Sequence, residues 1–120
     1  GQFGNDSLRG AGGVDTLEGG DGNDLLYGEG DFDSVLGGEG ADTIFGDNFD
    51  DGDNAGEFNF DILFGQGGDD SIEGGQDIDQ TDGGGGNDTI NGGSGNDSIN
   101  GIDGDDLLRG FSDFTLAGAV

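Results

Sequence analysis

The chain has 120 residues, 32 of them Gly and 28 acidic, with two Arg and no Lys, His, Cys, Pro, Met or Trp, so its formal net charge is −26. Self-repulsion at this charge opposes any compact state, and a folded form needs counter-charges bound at defined places. The charge excludes nucleic acid as a partner, disfavours direct contact with an anionic membrane surface, and predicts multivalent cations as partners. Without Cys, neither disulfides nor thiolate metal sites are available.

A nine-residue repeat begins at the first residue and runs through most of the chain. Its units start at Gly1, Gly10, Gly19, Gly28 and Gly37 and, after an interruption, at Gly56, Gly65, Gly74, Gly83, Gly92 and Gly101. The eighth position is aliphatic in every unit except the one that carries Thr81. The sixth position is always Asp: Asp6, Asp15, Asp24, Asp33, Asp42, Asp61, Asp70, Asp79, Asp88, Asp97 and Asp106. Such regularity excludes a merely biased composition, so we expect a folded chain when cations are bound and a disordered one without them.

The units follow the pattern Gly-Gly-x-Gly-x-Asp-x-(large apolar)-x, which residues 19–27 and 92–100 show in full. This pattern resembles the RTX nonapeptide, a calcium-binding repeat, and the resemblance covers residues 1–109. It implies an all-β fold, a right-handed parallel β-roll in which two units form one 18-residue coil. In that family six residues of each unit form a turn that holds Ca²⁺, and three form a short strand.

The chemistry of the unit agrees with this resemblance. Glycine permits backbone with positive φ and lets carbonyl groups converge on an ion. Ca²⁺ takes six to eight oxygen ligands, whereas the absence of His and Cys excludes typical Zn²⁺ sites. Burial of one aliphatic side chain per unit contributes about 2 kcal/mol, far below the cost of ordering nine residues. We therefore predict that the sixth-position aspartates bind calcium and that calcium supplies the remaining folding free energy.

If two units form each coil, alternate units stack on opposite edges. We call the loops of the first, third and later odd-numbered units the odd edge, and those of the even-numbered units the even edge. The odd edge has five gaps between successive loops and the even edge four, which predicts up to nine Ca²⁺ ions and an expected seven to nine. Losses are expected on the even edge, where the fourth position departs from Gly at Asp31, Asn59 and Asp77.

The fifth position also alternates. It is polar or small on the odd edge but apolar in much of the even edge, at Val14, Phe32, Phe60 and Ile78. We expect these four side chains to pack on one another beneath the loops, because exposed rows of apolar side chains are uncommon. A ridge that binds a partner is the alternative. Odd-edge residues such as Asp69 are expected to point to solvent.

Residues 46–55 interrupt the repeat and are interpreted as an enlarged loop of the sixth unit. A solvated acidic loop is favoured, and an additional calcium site is the alternative, with four candidate ligands: Asp47, Asp50, Asp51 and Asp53. Residues 110–120 lose the pattern and are expected to cap the last coil or to begin a following segment. A remnant of a secretion signal is the other interpretation.

Positions seven and nine should face outward from the two sheets. Six apolar residues at these positions cluster in the middle coils and predict an exposed patch for a neighbouring domain or a second copy: Leu25, Tyr27, Leu36, Phe45, Ile62 and Phe64. Scattered surface residues are the alternative.

An enzymatic function is not expected. Without His, Cys or Lys there is no ordinary nucleophile–base pair, and a ladder of equivalent aspartates contains no distinguished acid–base pair. The resemblance implies a calcium-responsive module of a secreted protein that is exported unfolded by a type I channel, folds outside the cell and stabilises an attached domain. The alternative is an extracellular adhesin, or a solenoid that binds ligand or ice through an outer sheet face, although Thr16, Thr43 and Thr89 do not form a continuous row.

Overall fold

The computed structural model describes residues 1–47 and 60–111, apart from the side chain of Phe111. These residues form short parallel strands and contain no helix, and therefore no helix long and apolar enough to cross a membrane. The strands are β1 (Ser7–Gly12), β2 (Thr16–Asp21), β3 (Leu25–Gly30), β4 (Ser34–Glu39), β5 (Thr43–Asp47), β6 (Ile62–Gly67), β7 (Ser71–Gly75), β8 (Gln80–Gly85), β9 (Thr89–Ser94), β10 (Ser98–Asp103) and β11 (Leu107–Phe111). The all-β, parallel β-roll prediction is confirmed.

Alternate strands belong to different sheets. The odd sheet has the order β1-β3-β5-β7-β9-β11 and the even sheet the order β10-β8-β6-β4-β2. Each strand pairs with the strand two units away, as in the pair Leu8↔Leu26. The pairs Ile44↔Ile72 and Val35↔Leu63 span the interruption. Because β4 still pairs with β6 and β5 with β7, the interruption leaves the alternation of the two edges intact.

The core is one side chain thick. Successive side chains of a strand point to opposite faces, so position eight faces the other sheet while positions seven and nine face outward. The core side chains, all at position eight, are Leu17, Leu26, Val35, Ile44, Leu63, Ile72 and Ile90. Thr81 fills the same row at 1 % exposure, and its hydroxyl has no hydrogen-bond partner among the described residues. Leu108, in the last described coil, is 45 % exposed.

The outer apolar residues lie on two opposite faces. Tyr27 and Phe45 on the odd sheet stack with ring centroids 5.1 Å apart, and the Arg9 guanidinium lies 4.8 Å from the Tyr27 centroid. Leu36 and Phe64 are cross-strand neighbours on the even sheet. The prediction of one apolar patch is therefore wrong, because the sequence-adjacent units that carry these residues contribute strands to different sheets.

The interruption begins after a strand rather than at Gly46. Gly46 and Asp47 complete β5. Gly46 also has the surroundings of a first-position glycine, since a Cβ there would lie 2.5 Å from both Asp61 Oδ2 and the Gly74 carbonyl oxygen. The sixth unit therefore starts structurally at Gly46, while residues 48–55, and Gly56 as its expected start, lie outside the described residues. The expected cap at residues 112–120 lies outside them as well.

Candidate metal centre

The sixth-position aspartates stand immediately before the strands and form two ladders, one along each edge. On the odd edge these are Asp6, Asp24, Asp42, Asp70, Asp88 and Asp106, and on the even edge Asp15, Asp33, Asp61, Asp79 and Asp97. Those of the middle coils are buried, and Asp61 and Asp79 are 0 % exposed. Stacking of coils in register makes successive aspartates of one edge neighbours, although they are 18 or 28 residues apart in the chain.

In nine of the eleven aspartates, all except Asp6 and Asp15, one carboxylate oxygen accepts a hydrogen bond from the backbone. The Oδ1 atom accepts a hydrogen bond from the N–H of the sixth-position aspartate in the preceding coil, for example from Asp24 to Asp42 at 2.8 Å and from Asp61 to Asp79 at 3.1 Å. Five such bonds join the odd-edge loops and four join the even-edge loops. These bonds fix the orientation of the nine accepting carboxylates, so their second oxygen is fixed as well.

That second oxygen, Oδ2, is buried without a hydrogen-bond partner. This holds for nine of the described aspartates: Asp15, Asp24, Asp33, Asp42, Asp61, Asp70, Asp79, Asp88 and Asp97. For seven of them, all except Asp88 and Asp97, a backbone carbonyl oxygen lies close to the same first-position glycine. A Cβ on Gly74 would lie 2.6 Å from Asp79 Oδ2 and 2.5 Å from the Gly92 carbonyl oxygen, which explains why only glycine fits there. Buried acceptors that converge without a donor are costly, and a bound cation would satisfy them.

Burial raises the pKa of seven of these carboxyl groups, because desolvation penalises the charged form: Asp33, Asp42, Asp61, Asp70, Asp79, Asp88 and Asp97. The pKa of Asp33 rises to about 6, those of Asp61 and Asp70 to about 7, and that of Asp79 to about 8. Hydrogen bonds from the backbone oppose the rise, and neighbouring carboxylates add to it. Without metal, the charge of these buried carboxylates destabilises the fold. A bound divalent cation would remove this destabilisation.

The donors suit a hard cation that accepts carbonyl oxygen. Within residues 1–47 and 60–111, no group of three or more acidic side chains converges closely enough to hold a metal by itself. Carboxylates must therefore be supplemented by backbone carbonyls, which is the ligand set typical of Ca²⁺ rather than of Zn²⁺.

Comparison with known protein families identifies the repeat. The family model of the RTX calcium-binding nonapeptide repeat matches in four copies, at residues 1–35, 18–52, 55–80 and 82–110. The chain belongs to this RTX family. No curated protein sequence and no solved structure matches it. As RTX repeats bind calcium, the buried acceptors of this β-roll have a chemically appropriate ligand.

The two edges of the RTX roll differ at position four. Asp31 and Asp77 adopt positive φ angles of 79° and 73°, a conformation that glycine takes elsewhere. Asp31 offsets part of this strain, because its Oδ2 accepts a hydrogen bond of 3.0 Å from the N–H of Gly13. The third predicted departure, Asn59, lies outside the described residues.

The apolar fifth-position side chains of the even edge stand outside the roll. Phe32 and Ile78 are each 48 % exposed, Phe60 is 38 % exposed and Val14 is 76 % exposed. The prediction that they pack beneath the loops is wrong. The space beneath is taken by the buried sixth-position carboxylates and the first-position glycines, so position five, next to position six, faces the opposite side.

The fifth position of the odd edge is also more than a solvated site. Asp69 is exposed, but its Oδ1 accepts a hydrogen bond of 2.8 Å from the N–H of Asn87 in the next coil. The expectation that Asp69 points to solvent is confirmed, and the structure adds a hydrogen bond to the neighbouring coil. A sequence signal was present, because the odd units carry Asn or Asp at this position in every case except Ala41.

Asp47 departs from the solvated acidic loop expected for the interruption. It is 5 % exposed, and its Oδ2 accepts a hydrogen bond of 2.9 Å from the N–H of Gln76. The other proposed ligands of an additional calcium site, Asp50, Asp51 and Asp53, lie outside the described residues. For Asp47 itself the solvated interpretation is wrong.

Proposed function

We propose that the chain is a calcium-dependent folding module in which successive sixth-position aspartates of each edge hold Ca²⁺ between stacked loops. The buried, unpartnered Oδ2 atoms support this proposal more than any other observation. The proposed ligands are Asp6, Asp15, Asp24, Asp33, Asp42, Asp61, Asp70, Asp79, Asp88, Asp97 and Asp106. Carbonyl groups of the neighbouring loops would complete each coordination shell.

The same ions are the main source of folding free energy in this proposal. The core holds one side chain per nine residues, and metal-free carboxylates would lie buried along both edges. Since a preformed site does not exist in an unfolded chain, the binding free energy of calcium becomes folding free energy. The module has a structural role rather than a catalytic one.

We further propose an extracellular location and export by a type I system, which are typical of proteins with RTX repeats. A chain that requires millimolar calcium stays unfolded in a low-calcium cytosol, passes a narrow channel and folds outside. Residues 1–109 would form the β-roll, and residues 110–120 would cap it or begin a following segment. The attached part of the polypeptide would be stabilised by the folded roll, which serves as its partner.

The number of bound ions tests the proposal directly. Native mass spectrometry and titration calorimetry on the full chain should give seven to nine Ca²⁺ ions per chain, with any missing ions on the even edge. A stoichiometry of one or two would contradict a ladder of sites. Mg²⁺ at the same concentration serves as the control and should not replace calcium, because it requires a smaller octahedral shell and loses water reluctantly.

A further inference from the structure

A second ladder runs along the odd edge at position five. Side-chain Oδ1 atoms accept hydrogen bonds from the fifth-position N–H of the next coil at 2.8–2.9 Å. Asn23 donates its N–H to Asn5 and accepts from Ala41. Farther along, Asn87 donates its N–H to Asp69 and accepts from Asp105. None of these bonds involves an atom of the sixth-position carboxylates.

The two ladders run in opposite directions, so together they tie neighbouring odd-edge loops reciprocally. The N–H of Asp88 donates to Asp106 Oδ1 of the next coil at 3.0 Å. The N–H of Asp105 in that next coil donates back to Asn87 Oδ1 at 2.9 Å. Two bonds of opposite sense between adjacent loops restrict their sliding and tilting more than the single sixth-position bond can.

The even edge lacks this second ladder in the residues that the structure describes. Val14, Phe32, Phe60 and Ile78 offer no side-chain acceptor. Asn96, the one even-edge asparagine at position five, makes no hydrogen bond to any described residue. Position four follows the same division. On the odd edge a Cβ on Gly104 would collide with the carbonyl oxygen of Gly86 and would lie 3.2 Å from Asn87 Oδ1, so crowding by the neighbouring backbone is the first reason for glycine there.

The odd ladder has one break. Ala41 donates its N–H to Asn23 but has no side-chain oxygen to accept the N–H of Asp69. The break falls between the third and fourth odd-edge loops, and the interruption of the repeat lies between the same two loops in the sequence. Of the bonds that make up the two ladders, only the one from the N–H of Asp42 to Asp70 Oδ1 joins loops 40–42 and 68–70.

We infer that the fifth-position Asn and Asp side chains of the odd edge are positioning residues that hold the odd-edge loops in their calcium-binding arrangement. As a result, the odd edge releases calcium more slowly than the even edge, and its weakest point lies at Ala41. This inference rests on the proposed calcium sites. It divides the calcium sites into a class on the odd edge that releases calcium slowly and a class on the even edge that releases it faster. The shared nine-residue pattern does not distinguish these classes.

The variants Asn87→Ala and Asn96→Ala form a matched pair, because both residues stand at position five in the sequence Gly-Asn-Asp, on opposite edges. Stopped-flow mixing of the calcium-saturated full chain with a fluorescent chelator measures release, and amide hydrogen exchange reports on each loop. We expect biphasic release. Asn87→Ala should accelerate part of the slow phase about five-fold, the rate equivalent of one lost hydrogen bond, while Asn96→Ala leaves both phases unchanged.

Amide exchange provides a readout that a general loss of stability would not reproduce. In Asn87→Ala the N–H of Asp105 should lose protection selectively, and Asn87→Asp, which keeps the acceptor, should restore it. Conversely, Ala41→Asn should newly protect the N–H of Asp69 and slow calcium release. Equal effects of Asn87→Ala and Asn96→Ala, or release in a single phase, would overturn the inference while leaving calcium binding intact. A wild-type chain that binds no calcium would instead overturn the proposed function and this inference with it.

Discussion

The odd and even edges are built from the same nine-residue rule yet differ in how their loops are held. On the odd edge glycine at position four and Asn or Asp at position five allow two reciprocal ladders. On the even edge Asp31 and Asp77 occupy position four with positive φ, and apolar side chains project outward from position five. The comparison teaches that positions written as variable in a repeat can decide how rigid each copy is.

Charge differs between the edges in the same sense. Burial raises the pKa of Asp79 to about 8 and that of Asp61 to about 7, and on both the nearby carboxylate of Asp47 adds to the rise. Within the described residues the even edge also lacks the position-five ladder, although Asp31 and Asp47 each accept one hydrogen bond from the neighbouring coil. We expect it to depend on calcium more strongly than the odd edge.

Removal of calcium is expected to have the largest effect, because both edges are proposed to need bound ions to fold. In excess chelator the chain should give a random-coil circular dichroism spectrum, and millimolar Ca²⁺ should restore the β signal cooperatively. Mg²⁺ is the control and should fail. Retention of β structure in excess chelator would show that hydrogen-bond ladders suffice without the ions.

Loss of one ladder carboxylate should shift folding without abolishing it. Asp70→Asn replaces a buried carboxylate, whose Oδ2 has no hydrogen-bond partner in the protein, by a neutral amide. A penalty of about 3 kcal/mol, shared among cooperatively bound ions, should raise the calcium midpoint roughly two-fold in a titration followed by circular dichroism.

Asp69→Asn is the control for that prediction, because it changes the net charge equally. The amide keeps the acceptor for the N–H of Asn87, so the midpoint should stay the same or fall slightly as repulsion decreases. On the even edge, Asp79→Asn should give a smaller shift than Asp70→Asn, because burial penalises the charged carboxylate of Asp79 more and raises its pKa to about 8, against about 7 for Asp70. Equal midpoints for Asp69→Asn and Asp70→Asn would contradict the assignment of position six.

Acid should partly replace calcium. The pKa of Asp79 is about 8 in the folded metal-free chain against an ordinary value of 3.8, so the folded form binds more protons than the unfolded one. Stability of the metal-free fold is therefore lowest above pH 8 and rises as the pH falls toward 5. Circular dichroism of metal-depleted protein between pH 8 and 5 measures this change.

Protons and calcium then compete for the same carboxylates. In a metal-free chain that acid has folded, calcium binding should release protons, which calorimetry at pH 6 in buffers of different ionisation enthalpy would detect. If the metal-free chain is folded at pH 6 and calcium binding releases no protons there, the raised pKa values of Asp61, Asp70 and Asp79 do not describe the metal-free roll.

A polar residue in the core of the even sheet offers a smaller test. Thr81 lies between Leu63 and Ile99, and its buried hydroxyl lacks a partner among the described residues. Thr81→Val removes this unsatisfied group at nearly constant shape and should increase the calcium-saturated free energy of unfolding by about 1 kcal/mol. Thermal unfolding would measure the gain, with Thr16→Val on the exposed outer face as a neutral control.

The smallest effect is expected at the even-edge ridge. Phe32→Ser should change the free energy of unfolding by less than about 0.5 kcal/mol, because the side chain is 48 % exposed. Phe45→Ser, which breaks the stack with Tyr27, should cost about 1 kcal/mol. Denaturant unfolding at saturating calcium distinguishes the two, and a cost for Phe32→Ser as large as that of Phe45→Ser would indicate that the ridge is packed after all.

The sequence by itself determined the repeat, the family and the fold class. Asp at position six, an aliphatic residue at position eight and Gly at positions one and four are local requirements of a tight turn followed by a short strand, and local requirements are visible in one dimension. The alternation of edges also followed from the sequence, because position four departs from Gly in the fourth, sixth and eighth units, at Asp31, Asn59 and Asp77. Even the pairing of β4 with β6 across the interruption was implied by the alternation.

Only the tertiary structure decided which side of a loop each neighbour of the aspartate takes. It placed Phe32 outside rather than beneath the loops, divided the middle-coil apolar residues between two faces, and gave Asp69 and Asn87 a hydrogen bond across coils. It also set Asp47 in a buried position beside the even edge. These features depend on contacts between residues 18 or more positions apart, where the stacking of one coil on the next, and not the nine-residue pattern, determines the available space and partners.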